Sequence, residues 1–316
     1  MTRRDQTGFQ HRRDAGKTYF KTYSVANATS STIYNRLVRS LLALLLAVPI
    51  ALVWAADQAG EQHNMLTEAE RQQGWTLLFD GKTMDHWLDP RQLSPKGDAW
   101  TIEDGCLKAV PKPRITEDLV SREAYSDFEL KWQWKIDRGS NSGVKYRIQA
   151  LPVLTESTVD PKIRKFERMV DYAVEHNAFD RAAIGPNGHG QIYVIGFEYQ
   201  LIDNAVHPDA RRGPFYQAAA VYGILPPSED ATKPVGEFND SVLIVHENHV
   251  EHWLNGKKVI DAQLDPPLLK ETMLKRWGEA SPVYKLLIEQ PKKHCPISLQ
   301  NHGDPAWFRD IKIRRF

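Results

Sequence analysis

The sequence predicts an all-β sandwich or barrel, and three of its features point that way. Short runs of alternating apolar and polar residues recur, as in GFEYQLIDN at residues 196–204. Strict alternation marks a strand with one face in a core and the other free. Turn signals punctuate these runs, with Asp-Gly at 80–81 and 104–105 and Glu-Asn at 247–248. Helical periodicity, by contrast, is confined to two stretches. Many short strands at this spacing describe two packed sheets or a closed barrel. Residues 66–316, roughly 250 in all, suit one such domain.

Taken in order, residues 66–73 read as a short helical or irregular lead-in. GWTLLFDGK at 74–82 reads as a strand closed by an Asp-Gly turn, and residues 99–110 set WTI against CLKA across Glu103-Asp104-Gly105. At 126–136, Phe128, Leu130, Trp132 and Trp134 alternate with Glu129, Lys131 and Gln133. Further strands are expected at 141–149, 191–202, 218–224, 241–246, 249–254, 258–263, 296–300 and 306–314. Asp160 and Pro161 give a helix cap and first turn, with Ile163, Phe166, Val170 and Val174 on one apolar face. Residues 267–277 place Leu269, Met273 and Trp277 at helical spacing before Gly278. Both helices are expected at the periphery, packed on the sandwich.

The N-terminus differs from the rest. Residues 1–39 are polar and basic, while 40–56 carry no charge and are rich in Leu, Ala and Val. Small residues follow at Ala55, Ala56 and Ala59. A basic leader, a short apolar run and a small-residue end describe an export signal. Residues 1–59 are therefore expected to be a signal, or an anchor held in the membrane through residues 40–56. The domain is expected to be exported, free in the periplasm or anchored facing it. In that oxidising setting Cys106 and Cys295 read either as a disulfide joining paired terminal strands or as two buried thiols.

Charge excludes some functions. With 41 Lys+Arg against 40 Asp+Glu, nothing calls for nucleic acid or an anionic membrane surface as partner. The nine Trp residues suit sugar stacking as well as core filling. His246, His249 and His252 share one hairpin, but positions 249 and 252 differ by an odd number and point to opposite faces. A tetrahedral zinc site needs convergent ligands. Neither cysteine has metal-ligand spacing, and there is no phosphate loop, nucleophile elbow or dinucleotide fingerprint. No metal or cofactor is expected.

A set of carboxylates, amides and imidazoles remains. Glu198 and Gln200 share one strand face, and Asp203 stands where that strand ends, ahead of HPDA at 207–210. Glu237 and Asn239 open a later strand, and Gln300 and His302 share a face near the C-terminus. Arg147 lies on the same side of its strand as Lys145, opposite Tyr146. A polar row on a rigid strand that ends in a Pro- and Asp-bearing loop is how all-β proteins hold a sugar.

These residues also sit in ordered motifs. GWTLLFDGKTMDHW (74–87), WTIEDGCL (100–107), SDFELKWQW (126–134), NSGVKYR (141–147), GFEYQLIDN, HPDA, KPVGEFN (233–239), HWLNG (252–256) and ISLQNHGDPAWFRDIKI (297–313) resemble, in order, the 3-keto-disaccharide hydrolase family. The resemblance implies a concanavalin A-like jelly-roll sandwich acting on 3-keto-glycosides. It also implies a functional link to a sugar 3-dehydrogenase, which would supply the ketone. The family's recurring polar positions fall on Asn141, Ser142, Glu198, Gln200, Asp203, Glu237, Asn239, His252, Gln300 and His302. Phe238 stands where the family usually has Trp. Residues 151–195 look like a helical insertion, expected to cap an open sheet edge or else to form one wall of the cleft.

On this reading, a ketone at C3 acidifies the C2 proton and makes the C1 substituent a leaving group β to the carbonyl. Glu198 is then expected as the base, with His302 or Asp203 donating or orienting a proton. Arg147, Gln200, Asn239, Gln300 and the remaining motif residues would bind the sugar or its enolate oxygen. The competing route pairs Glu198 with Glu237 or Asp203 as two ordinary glycosidase carboxylates. A sugar-binding module without chemistry is the alternative function, since fold alone does not decide.

Overall fold

A computed structural model describes residues 62–88, 98–185 and 187–316. Glu61–Phe316 is one unit of the chain. The expected export segment, residues 1–59, lies outside the described residues. Among the described residues no helix is long and apolar enough to cross a membrane.

The strands are β1 (Thr76–Leu77), β2 (Trp87–Leu88), β3 (Trp100–Glu103), β4 (Cys106–Ala109), β5 (Ile115–Glu117), β6 (Leu119–Ser121), β7 (Phe128–Ile136) and β8 (Asn141–Ala150). They continue with β9 (Val153–Leu154), β10 (Gly190–Ile192), β11 (Ile195–Ile202), β12 (Asn239–His246), β13 (His249–Leu254), β14 (Lys257–Gln263), β15 (Ser298–Leu299) and β16 (Ala306–Arg315). One sheet runs β14-β13-β12-β7-β16-β4-β3, with β1 on β16, and the other runs β11-β8-β15-β6-β2. Both sheets are antiparallel, which makes the all-β jelly-roll sandwich.

Period-two alternation builds the core between them. In β7, Phe128, Leu130, Trp132, Trp134 and Ile136 turn inward, and Val144 and Tyr146 of β8 with Tyr199 and Leu201 of β11 meet them. The rings of Trp132 and Tyr199 meet edge-on at 4.9 Å. Two of the buried polar groups there are paired: Trp134 Nε1 donates to Ser241 Oγ at 2.9 Å, and Tyr199 OH donates to the Trp253 carbonyl at 2.9 Å.

Several elements depart from the sequence expectation. The stretch 218–224 is not a strand; its backbone bonds to β11 through Ala219 N to Gln200 O and Tyr222 N to Glu198 O, while Ala219 at φ +65° bends it away. The first helix, α2 (Phe166–Glu175), starts later than Pro161, because Asp160 instead closes a turn onto Lys162 N. It follows α1 (Glu68–Gln72), which the Thr67–Glu70 capping box starts. The second expected helix is α3 (Pro266–Arg276), with Leu269 and Met273 buried as its spacing implied. Residues 151–195 add β9 and β10, which join β5 in a small third sheet. Cys106 and Cys295 are both buried and free, so the disulfide does not form.

Candidate functional site

Strand parity and register build the floor of the site. The β11–β8 ladder pairs Glu198 with Lys145, Gln200 with Gly143 and Ile202 with Asn141. Val144 and Tyr146 take the core side, so Asn141, Gly143 and Lys145 share the outer face with Glu198 and Gln200. Gly143 leaves room there: a Cβ on it would stand 2.5 Å from Glu198 Oε1. With its amide nitrogen facing the surrounding oxygens, Gln200 donates to Glu198 Oε1 at 3.0 Å and to the Ser142 carbonyl at 2.9 Å. Gln300, just after β15, is fixed alongside by its N–H on the Gly143 carbonyl at 2.8 Å. Its Oε1 is buried and accepts no hydrogen bond, although the residue lines the cleft.

A buried charge row underlies this floor. Lys145 Nζ lies 3.2 Å from Asp118 Oδ2, and both side chains are at most 4% exposed. Ser298 Oγ donates to the same carboxylate oxygen at 3.1 Å. Burial pushes the Asp118 carboxyl up, against the pull of Lys145. Burial opposes the charge on Lys145, but Asp118 and Glu198 outweigh it and hold its pKa above the ordinary value. For Glu198, burial dominates and pushes the pKa from 4.5 to about 7, with Lys145 holding it back and Asp118 adding to the rise. A carboxylate that titrates near neutrality is suited to taking and returning a proton.

Walls rise from three segments to enclose a cleft of about 780 Å³. Residues 151–195 give Phe166, Glu167 and Tyr193, and Lys145 Nζ sits 5.2 Å from the Tyr193 ring centroid. The loop after β11 gives Asp209, Tyr216 and Tyr222, with Tyr222 OH donating to Asp209 Oδ2 at 3.2 Å and Arg212 Nη1 to Oδ1 at 3.1 Å. Helix α3 contributes Arg276, whose Nε lies 3.5 Å from Glu167 Oε1. His302 stands at the rim, its side chain 43% exposed and its Nδ1 3.9 Å from Asp304 Oδ2. Desolvation lowers the His302 pKa, with Asp304 opposing that and Lys145 and His207 reinforcing it.

A family model described as the 3-keto-alpha-glucoside-1,2-lyase-like domain matches residues 74–314. The chain belongs to this family. Membership places it among enzymes that cleave glycosidic bonds. A relative from Bacteroides thetaiotaomicron, named 3-keto-disaccharide hydrolase, is 28% identical over 263 residues, covering 76% of this chain and 78% of that protein. A crystal structure from Parabacteroides distasonis, provisionally named a glycosyl hydrolase, is 27% identical at a TM-score of 0.58, covering 81% of this chain and all of its own. A second structure from that organism, with the same provisional name, is 25% identical at a TM-score of 0.47 and covers 77% of this chain.

Of the residues the family resemblance singled out, Asn141, Glu198, Gln200, Gln300 and His302 line this cleft. The others lie elsewhere. Asp203 turns its carboxylate to the backbone N–H groups of Gly139 at 2.8 Å and Ala205 at 2.9 Å, fixing the end of β11. With Glu237 and Asn239 it borders a separate hollow of about 260 Å³, so neither Glu237 nor Asp203 forms a carboxylate pair with Glu198 across the cleft. Asn239 Oδ1 accepts from Lys233 N and Asn255 Nδ2, both at 2.8 Å. The Ser142 hydroxyl donates to the Gln300 carbonyl at 2.7 Å and so positions that residue rather than a ligand. His252 is in the core between the sheets, 3.2 Å from Tyr146 OH and 2.8 Å from the Ala219 carbonyl.

Arg147 also leaves the expected face. Four residues of β8 span the distance that two of β11 span there, and Arg147 takes φ +54° in the bulge. Its guanidinium reaches the Lys293 and Glu247 carbonyls instead. Residues 151–195 form a cleft wall, one of the two expected roles, while their strands β9 and β10 pair with β5 in the small third sheet and not along an edge of either main sheet. Sequence reasoning passed over Lys145, Asp118, Tyr193 and Arg276. For Lys145 the signal was present, since strand parity puts it beside Asn141; for the others, only tertiary contact brings them in. Phe238 lies away from the cleft, its ring covered by Arg309 at 3.7 Å.

Proposed function

We propose that this cleft binds a 3-keto-glycoside and that Glu198 removes its C2 proton. The observation that carries the reading is Glu198 itself: a carboxylate on the cleft floor, braced by Gln200 and Lys145, with a pKa of about 7. The C2 proton passes to the carboxylate, and the C2–H electrons form an enolate whose charge rests on the C3 oxygen. The enolate then re-forms the carbonyl, a C1–C2 double bond appears and the aglycone oxygen leaves. That oxygen takes a proton from the protonated imidazole of His302, which lines the cleft, whereas the Asp203 carboxylate accepts from backbone N–H groups at the end of β11. Water then adds its oxygen to C1 and gives a proton to His302, restoring it, while Glu198 returns the abstracted proton to C2, so the net reaction is hydrolysis. Gln300 holds a sugar hydroxyl, and Asn141 with Arg276 faces the oxyanion.

The ketone comes from a separate sugar 3-dehydrogenase, and the N-terminal segment exports the domain to where the two enzymes meet. The test is aglycone release from matched glucosides and 3-keto-glucosides by the purified protein. Cleavage of the keto form alone is the expected result. Binding of both sugars with cleavage of neither would reduce the cleft to a lectin site.

A further inference from the structure

The cleft extends beyond the polar floor, and its outer part has a different character. Around Glu198 the lining is amide and carboxylate, whereas the outer walls are rings and cations. Phe166 is 37% exposed and Phe215 39% exposed, and both line this cleft. They come from separate segments, the start of α2 and the turn Pro214–Tyr216. Phe166 is backed by a second ring, meeting Tyr193 edge-on at 5.2 Å, and beside Phe215 in the chain Tyr216 meets Tyr222 at 5.3 Å. Arg212 lies flat over Tyr216, 3.9 Å from its centroid. The two inner rings reach the charged floor, Tyr193 through Lys145 and Tyr222 through Asp209.

We propose that these rings form an aglycone subsite, and that the favoured aglycone is itself an aromatic ring. The proposal rests on the 3-keto-glycoside reading for what occupies the floor. Two partly exposed phenylalanines in one cleft, Phe166 braced by Tyr193, present flat apolar faces that gain most from covering by another flat apolar group. A sugar aglycone would call for convergent amides and hydroxyls, and those are concentrated at the floor, on Asn141, Gln200 and Gln300.

The test compares kcat/KM on a phenyl 3-keto-glucoside and a 3-keto-disaccharide of the same anomeric configuration. Full-length protein is assayed with and without Phe166→Ala and Phe215→Ala, and with Phe166→Tyr as the conservative control. Each alanine variant is expected to lose about tenfold on the phenyl substrate and less than twofold on the disaccharide, with the tyrosine variant close to the parent. Because each substrate is compared with itself across variants, the better phenol leaving group does not enter. Equal losses on both substrates would overturn the proposal.

A second arm is independent of catalysis. Calorimetric binding of unoxidised phenyl glucoside is expected to be at least tenfold tighter than that of methyl glucoside, with the difference lost in Phe166→Ala. If the phenyl preference holds while neither keto substrate is cleaved, the subsite stands and the 3-keto reading falls. If both keto substrates are cleaved without any phenyl preference, the subsite falls and that reading stands.

Discussion

Glu198 and Lys145 are direct cross-strand partners in the β11–β8 ladder, and Lys145 is also ion-paired to Asp118 at 3.2 Å. Three ionisable groups thus stand in sequence under a cleft whose floor is the outer face of one sheet. Burial drives the Glu198 pKa to about 7, while the Lys145 charge keeps it from rising further. The pairing follows from strand register, so the site is set by the same alternation that fills the core.

If Glu198 is the base, its ionised form is the active one. Activity on a 3-keto-glycoside is then expected to fall as pH drops below about 7, since protonation removes the acceptor. Glu198→Gln should lower kcat by about 10² to 10⁴ with KM little changed. A pH-rate profile and steady-state kinetics check this; a loss of less than tenfold removes Glu198 from the role.

Lys145→Met takes away the cation that favours ionised Glu198, so the acid limb of the pH profile should move to higher pH. It also leaves Asp118 buried without its partner, a change that costs about 3–5 kcal/mol in buried pairs. Adding Asp118→Asn should restore much of the stability and, because the Asp118 charge adds to the Glu198 rise, should bring the limb only part of the way back. Chemical denaturation and the pH profile separate the two effects; a limb that stays put in Lys145→Met would show that the lysine is structural only.

Gly143→Ala probes the space that Glu198 occupies. A Cβ there would come within 2.5 Å of Oε1 and 2.9 Å of Cγ, so the carboxylate must move. Overpacking costs about 1–3 kcal/mol, whereas a misplaced reacting group costs about 10²-fold in rate. The expected variant is folded but slow, with a thermal midpoint only slightly below the parent. Unchanged kcat would mean that the position of Glu198 on the floor does not matter to the chemistry.

Much of this was legible in the sequence because alternation is a local signal. The strands 126–136, 141–149 and 249–254 were readable within a residue or two, as was the shared face of Glu198 and Gln200. Asp203, Asn239 and His252 were misread for one reason: polar residues at strand ends and in the core serve backbone N–H groups, neighbouring amides and buried rings, and a motif does not distinguish that duty from binding. Arg147 was misread because parity fails at a bulge, which only the partner strand reveals. Asp118 precedes the short strand β6, too brief to show a period, so its place under Lys145 has no local signature.

His252 and Glu198 make a last prediction, about stability rather than rate. Burial lowers the His252 pKa from 6.5 to about 4, so the folded protein holds it neutral while the unfolded chain protonates it. Its contribution is complete above pH 6.5 and is lost as pH falls toward 4, by about 3 kcal/mol in all. Glu198 works in the opposite sense, because its folded pKa of about 7 lies above the ordinary 4.5. Keeping that carboxylate charged in the fold costs stability increasingly from pH 4.5 to 7, and acidification relieves the cost. Between these limits the two displacements are of similar size and opposite sign, so each masks the other. Glu198→Gln should therefore steepen the fall of stability between pH 6.5 and 4.5, and His252→Gln should flatten or reverse it. Denaturant titrations at pH 4.5, 5.5 and 6.5 on the three proteins read both slopes. Parallel pH dependence in all three would mean that neither group changes its proton affinity on folding.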